Sequence, residues 1–324
     1  MFIPNPAVLV LEGEVPPPRL ASIERLADVR RTREAELARS LPRAEVLFLW
    51  DFRSGAVADA WSSADSLRWL HVASAGVDRL LFPELVASDV VVTNSRGIFD
   101  EPIAEYVLGL VLCFAMDLHT TLRLQGRRQW LHRETERITG AHAVVVGTGP
   151  IGRAIGRRLT AAGMTVGGVG RTGRPADPDL GDIRPFGELG DALAEADYVV
   201  LAAPLTDLTR GMIDASALAR MRPTARLINV GRGACVVERA LVKALTEGRI
   251  AGAALDVFET EPLPEASPLW ELPNVIVSPH MSGDAVGWHD ALVELFVDNL
   301  ARYREGRALL NVVDKQRGYV TRGT

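Results

Sequence analysis

Short apolar runs recur along the chain, and between them apolar residues return every three or four positions. The first pattern suits strands buried on both faces, and the second suits helices with one apolar side. In the first part of the chain the runs predict strands at Ala7–Leu11, Val46–Trp50, Leu70–Ala73 and Val90–Thr93. A second series predicts Ala143–Val146, Thr165–Val169, Tyr198–Ala202, Arg226–Val230, Ala251–Leu255 and Val275–Ser278. Strands that alternate with helices form parallel sheets covered on both faces. The expected fold class is α/β, with two doubly wound parallel-sheet domains.

A long helical pattern, Ile103 to about Arg127, precedes the second series, and another, Val286 to Glu305, follows it. A helix left over after a finished sheet must pack somewhere. If it returns to the first sheet, the first domain is discontinuous, residues 1–98 and 284–324, and the second domain, 99–283, is inserted into it. The Pro16–Pro18 run and the Gly173–Gly181 stretch read as loops.

Composition narrows the partners. The 324 residues are 48% hydrophobic and 24% charged, enough to core two domains. A net charge of −5 argues against a general nucleic-acid binder, whose surface must be basic. The longest apolar run, Tyr106–Met116, is shorter than the roughly 20 residues a membrane span needs. Met1–Leu20 has no basic stretch before its apolar run, so no secretory leader is expected. Cys113 and Cys235 have no Cys or His at ligand spacing, which argues against a metal site. They read as small hydrophobes in a reducing, cytoplasmic setting.

Candidate chemistry begins at Gly147-Thr148-Gly149-Pro150-Ile151-Gly152, between a strand and a helix. The first glycine permits a tight turn, the second lets backbone approach a pyrophosphate, and the third lets helix and strand pack closely. Free N–H groups and the dipole at the helix start favour the anion. The second series is then the six-stranded set of a Rossmann dinucleotide-binding domain. At the end of its second strand an NAD site carries Asp or Glu for the ribose hydroxyl. Here the chain reads Val169-Gly-Arg171-Thr172-Gly-Arg174. Arginines can meet a 2′-phosphate with paired hydrogen bonds, so NADP is the expected cofactor, with NAD possible.

Three polar residues follow later strands: Arg232 in Asn229-Val-Gly-Arg-Gly233, Glu261 in Asp256-Val-Phe-Glu-Thr-Glu261-Pro262, and His280 after Pro279. In open parallel sheets ligands bind beyond the carboxyl ends of the strands. An arginine can clamp a carboxylate, a histidine can donate a proton to a carbonyl oxygen as hydride reaches its carbon, and a carboxylate can orient and charge that histidine. The expected reaction is reduction of a 2-keto acid.

The chain resembles the D-isomer-specific 2-hydroxyacid dehydrogenases. The matching stretches are Val72–Asp78, Val92–Asn94, Ala104-Glu105, Gly147–Gly152, Ala203–Thr206, Ile228–Gly233, Ala254–Phe258, Glu261-Pro262 and Pro279-His280. The resemblance implies a Rossmann domain inserted in a flavodoxin-like substrate domain. It implies catalytic Arg232, Glu261 and His280, with Arg232 and His280 also touching substrate, and a substrate-carboxylate loop at Ala75-Gly76-Val77. It further implies cofactor contacts from Ala203, Pro204, Thr209, Val230, Gly231 and Asp256, the last toward the nicotinamide carboxamide. The Arg171-Thr172 pair and the tail Gly306–Tyr319 are similar to the NADPH-using glyoxylate/hydroxypyruvate reductases of that family. A homodimer built around the Ile103–Leu118 helix is implied too. Two alternative readings are a non-catalytic dinucleotide-sensing corepressor and a phosphite-type dehydrogenase. His71, just before the substrate loop, is a candidate for the pocket wall. Arg53 either reaches the pocket or is solvated, and the bulk of Met281 leaves substrate size open.

Overall fold

The computed structural model describes residues 5–321, so the outermost positions of both termini assigned above to the first domain lie outside it. The chain falls into two compact units. One is made of the chain up to Ile98 and from Val286 onward, and the other is Phe99–Ala285.

The first unit holds five strands, β1 (Ala7–Leu11), β2 (Asp28–Thr32), β3 (Val46–Leu49), β4 (Trp69–Val72) and β5 (Val91–Asn94). They are parallel, in the order β2-β1-β3-β4-β5, which is the flavodoxin-like arrangement. All four residues of β3 and of β4 are buried, as expected of strands covered on both faces. The sequence pattern missed β2. Its Asp-Val-Arg-Arg-Thr carries no apolar run because it is an edge strand, where charges are tolerated and guard against stray pairing. Its Arg31 pairs with Glu12 at 2.6 Å. The C-terminal segment packs on this sheet. Phe296, on the helix Trp288–Arg304, stacks on Phe48 with ring centroids 4.0 Å apart, and the Val313 N–H donates to the Val92 carbonyl. That helix begins two residues later than its apolar pattern, after Gly287 at φ 89°.

The second unit holds β6 (His142–Val146), β7 (Thr165–Gly170), β8 (Arg174–Asp177), β9 (Gly181–Pro185), β10 (Tyr198–Leu201), β11 (Arg226–Asn229), β12 (Gly252–Leu255) and β13 (Val275–Val277). The order is β13-β12-β11-β10-β6-β7-β9-β8, with only β8 antiparallel to its neighbour. Outward from β6 the strands run in opposite sequence directions, which is the Rossmann switch. Two expectations are corrected here. The Gly173–Gly181 stretch is not a loop throughout, since β8 lies within it and turns back along β9 at the sheet edge. An edge hairpin carries too few buried positions to write an apolar run. The pattern read as one helix from Ile103 to about Arg127 is two, Asp100–Ala115 and Leu118–Gly126, bent by 66°. The break falls at Asp117, whose backbone is left-handed at φ 50°, a conformation Asp tolerates better than most residues. Arg133 donates to the Asp117 carboxylate at 2.6 Å and ties the bend down. Among the described residues no single helix is long and apolar enough to cross a membrane.

Candidate active site

The glycine turn lies at the switch point. Gly147 follows β6 at φ 117°, and a Cβ there would sit 2.6 Å from the Ala202 carbonyl carbon at the end of β10. Only glycine fits so close to a neighbouring strand. Gly152 is equally constrained, since a Cβ would lie 1.8 Å from the Gly147 carbonyl oxygen. Gly149 differs: its Cβ would meet nothing within 4 Å, and its φ is −74°. No protein atom demands that glycine, and the open space beside it is what a pyrophosphate would fill. Pro150 and Ile151 open the helix Pro150–Ala161, whose first turn leaves N–H groups for an anion. Thr148 packs against Gly170 at the end of β7, where a Cβ would stand 2.9 Å from its methyl carbon. The residues present therefore suit a dinucleotide.

Arg171 and Thr172 follow β7 and are both exposed. Arg174 is turned instead toward the buried Asp177, with which it forms an ion pair. The loop after β10 is closed on itself. Thr209 donates to the Pro204 carbonyl at 2.6 Å and accepts from the Thr206 N–H at 2.9 Å, while Ala203 is buried beside it. After β11, the Asn229 side chain spans the turn, donating to the Arg232 carbonyl at 3.0 Å and accepting from the Gly231 N–H at 3.1 Å. Val230 is buried, whereas Arg232 is partly exposed and donates to the Gly231 carbonyl at 2.8 Å. A Cβ on Gly233 would overlap the Phe258 backbone at 1.9 Å, so the turns after β11 and β12 are in contact.

Strands β11, β12 and β13 are consecutive neighbours, and their carboxyl ends carry Arg232, Glu261 and His280. The structure brings the last two together: the Glu261 Oε2 lies 2.9 Å from the His280 Nδ1. Glu261 Oε1 accepts from the Phe258 N–H at 3.1 Å, which holds the carboxylate in place. The His280 side chain remains 42% exposed, enough to meet a small molecule, while the Glu261 side chain is only 20% exposed.

Asp256 has a role here that its sequence position did not suggest. It is buried, and its Oδ1 accepts from the Ser278 hydroxyl at 2.7 Å and the Met281 N–H at 2.9 Å, while Oδ2 accepts from the Ser282 N–H at 2.9 Å. These donors flank His280 on both sides. His280 itself is left-handed at φ 53°, a costly conformation for a non-glycine residue. The carboxylate compensates by gathering the N–H groups of the following two residues. Ser278, at a strand end before Pro279-His280, was the available signal in the sequence. Met281 is 45% exposed.

In the first unit, the loop after β4 has its carbonyls occupied. Ser95 N–H donates to the Ser74 carbonyl, Asn94 Nδ2 to that of Ala75 at 2.6 Å, and Ser74 Oγ to that of Gly76 at 2.7 Å. Among the described residues, no hydrogen bond takes up the N–H groups of Ala75, Gly76 or Val77. His71 is corrected from pocket wall to core. It is fully buried, between Thr93 Oγ1 at 2.7 Å on Nδ1 and Ser95 Oγ at 3.4 Å on Nε2. Thr93 accepts from Trp69 Nε1, and Ser95 donates to the Val72 carbonyl. With Thr93 donating to Nδ1 and Ser95 accepting from Nε2–H, both ring nitrogens are satisfied in the neutral form. Burial pushes His71 down to about 3. Arg53 is exposed, with its guanidinium over the Phe52 ring.

The doubly wound second unit, with a glycine turn at its switch point and polar residues at neighbouring strand ends, is that of a nucleotide-binding α/β protein. Residues 108–282 match the family model for the D-isomer specific 2-hydroxyacid dehydrogenase NAD binding domain. The glyoxylate/hydroxypyruvate reductase A of Arabidopsis thaliana is 33% identical over 264 residues, covering 80% of this chain and 82% of that protein. A D-isomer specific 2-hydroxyacid dehydrogenase from Xanthobacter autotrophicus, solved with NADPH and MES, shares 32% identity and a TM-score of 0.81, over 97% of this chain and all 100% of that one. An NADPH-dependent glyoxylate/hydroxypyruvate reductase from Sinorhizobium meliloti, solved with NADP and malonate, shares 29% identity and a TM-score of 0.84, over 99% of this chain and 100% of that one. The chain belongs to the D-isomer specific 2-hydroxyacid dehydrogenase family.

Proposed function

We propose that the protein is an NAD(P)H-dependent oxidoreductase that reduces a small 2-keto acid, of the glyoxylate or hydroxypyruvate kind, to the D-2-hydroxy acid. The observation that carries this reading is the Glu261–His280 pair at 2.9 Å, beyond parallel strands that follow a dinucleotide turn. When bound, the reduced nicotinamide supplies hydride to the keto carbon. His280 donates the proton that the keto oxygen takes up, through Nε2, because Nδ1 faces Glu261. Glu261 fixes the ring's orientation through Nδ1. Arg232 clamps the substrate carboxylate. Within the first unit, the N–H groups of Ala75, Gly76 and Val77 are anion donors in their own right.

Gly147 to Gly152 would hold the pyrophosphate. Ala203, Pro204, Thr209, Val230 and Gly231 would line the rest of the dinucleotide site. Asp256 Oδ2 accepts from the Ser282 N–H and keeps acceptor capacity for a carboxamide N–H. Arg171 and Thr172 would meet a 2′-phosphate, so NADPH is the preferred reductant. On this reading the first unit is the substrate domain and the second the dinucleotide-binding domain. A cytoplasmic homodimer completes the proposal. The exposed Leu112, Leu118, Leu122, Trp130 and Leu131 of the second unit form an apolar set that a second copy would cover.

Steady-state rates with glyoxylate and hydroxypyruvate, each against NADPH and NADH, test the reading. His280→Ala should lower kcat by about 10²- to 10⁴-fold while leaving NADPH binding intact. No turnover across a 2-keto acid panel, or phosphite oxidation in its place, overturns it. Equal efficiency with NADH removes the cofactor preference alone.

A further inference from the structure

The strongest charge cluster that the proposed chemistry leaves unused joins the pyrophosphate helix to the edge hairpin. Asp177, the last residue of β8, is 5% exposed. Its two oxygens accept from both terminal nitrogens of Arg153, at 2.9 and 2.8 Å, and Oδ2 also accepts from Arg174. Arg153 lies on the helix Pro150–Ala161, one residue after Gly152, and is itself buried. Its Nη1 also reaches Asp179 at 2.8 Å, and the Asp179 N–H caps Asp177 Oδ1 at 3.1 Å. The Arg153 guanidinium holds the Asp177 carboxyl down to about 2, so it is charged throughout the working pH range. Backbone packing closes the same joint, since a Cβ on Gly156 of that helix would lie 2.2 Å from the Asp179 carbonyl oxygen.

The segment between these anchors is Arg171 to Asp177. At its start, Gly170 is pressed by Thr148 of the glycine turn. At its end, Asp177 is locked to the helix that the same turn opens. A buried carboxylate that takes two guanidinium groups is costly unless every partner is present, so the joint has one arrangement. A surface segment carrying two arginines and a glycine would otherwise sample many.

We propose that Asp177 is a positioning residue for the cofactor's 2′-phosphate: by binding Arg153 and Arg174 together, it sets the Arg171–Thr172 segment relative to the glycine turn and so sets discrimination between NADPH and NADH. This rests on the proposed role of Arg171 and Thr172. It predicts an effect concentrated on the 2′-phosphate, because backbone packing at Gly147 and Gly152 holds the glycine turn without Asp177.

The test uses the full chain and Asp177→Asn, close in shape but without the charge. Calorimetric binding of 2′,5′-ADP is measured beside KM for NADPH and for NADH at saturating keto acid. Loss of about one charge-assisted hydrogen bond at the phosphate should weaken 2′,5′-ADP and raise KM for NADPH by about tenfold, with KM for NADH changed by less than about twofold. Unchanged 2′,5′-ADP affinity, or equal losses for the two cofactors, overturns the proposal. A wild-type protein that does not favour NADPH removes the cofactor preference before any variant is made, and this proposal with it. Should Asp177→Asn fail to fold, Arg174→Ala removes a half-exposed member of the cluster. It should cost about threefold, again for NADPH alone, and an equal loss with NADH or none overturns the proposal.

Discussion

Between neutral pH and about pH 4.5 an unfolded chain protonates its histidines, whose ordinary pKa is about 6.5. His71 in the folded protein stays neutral, because burial holds it down to about 3. A folded pKa below the unfolded one gives stability that is complete above about pH 6.5 and lost as pH falls toward 3. At pH 4.5 the proton has been bound by the unfolded chain over two pH units but not by the folded protein. Each unit is worth about 1.4 kcal/mol, so the loss is about 3 kcal/mol, a large share of a typical domain's stability. The perturbation is His71→Leu, which removes the titration at the fixed cost of leaving Thr93 and Ser95 without their ring partner. Urea unfolding at about pH 7.5 and about pH 4.5 is followed by tryptophan fluorescence. Trp50, Trp61, Trp69 and Trp288 all belong to the first unit, so the signal is weighted toward the sheet that holds His71. Carboxylates titrate in both proteins, so the informative quantity is the difference between their pH-induced losses. Wild type should lose about 3 kcal/mol more than the variant. Equal losses would refute the assignment of a neutral, proton-excluding His71.

The glycines of the dinucleotide turn should separate by what opposes a side chain. Gly149→Ala should leave the thermal midpoint near wild type yet weaken NADPH binding by at least about tenfold, whereas Gly152→Ala should lower the midpoint by several degrees, since its Cβ would meet backbone at 1.8 Å. Asp256→Asn exchanges one acceptor oxygen for an N–H facing the loop around His280. It should reduce kcat by about tenfold or more with a smaller change in NADPH affinity, and an unchanged kcat would show that the loop holds its shape without the carboxylate.

Legibility followed burial. The strands buried along their whole length, such as Val46–Leu49 and Tyr198–Leu201, wrote themselves as apolar runs. The edge strands Asp28–Thr32 and Arg174–Asp177 did not, because one side of each meets solvent and charge is allowed there. The break at Asp117 was invisible too, since helical spacing reads on across it while the chain bends by 66°.

The candidate site divides in the same way. Glycines at fixed spacing, and an Arg, a Glu and a His after successive strands, can be picked out in the sequence because turn geometry and chemistry restrict the residue type locally. Which side chains meet was beyond local reading. His71, one of six histidines, lies in the core with its ring nitrogens on Thr93 and Ser95, whereas His280 stands at the surface against Glu261. Asp256 binding the turn around His280, and Asp177 locking the edge hairpin to the pyrophosphate helix, join residues 22 to 26 positions apart. The sequence by itself determined the alternation of strands and helices, the α/β class and the residue types at the strand ends, since each is set by neighbours within a turn or two. The order of strands, the burial of one histidine and the pairing of another were decided only by tertiary structure, because they depend on which distant backbones the packed sheets bring side by side.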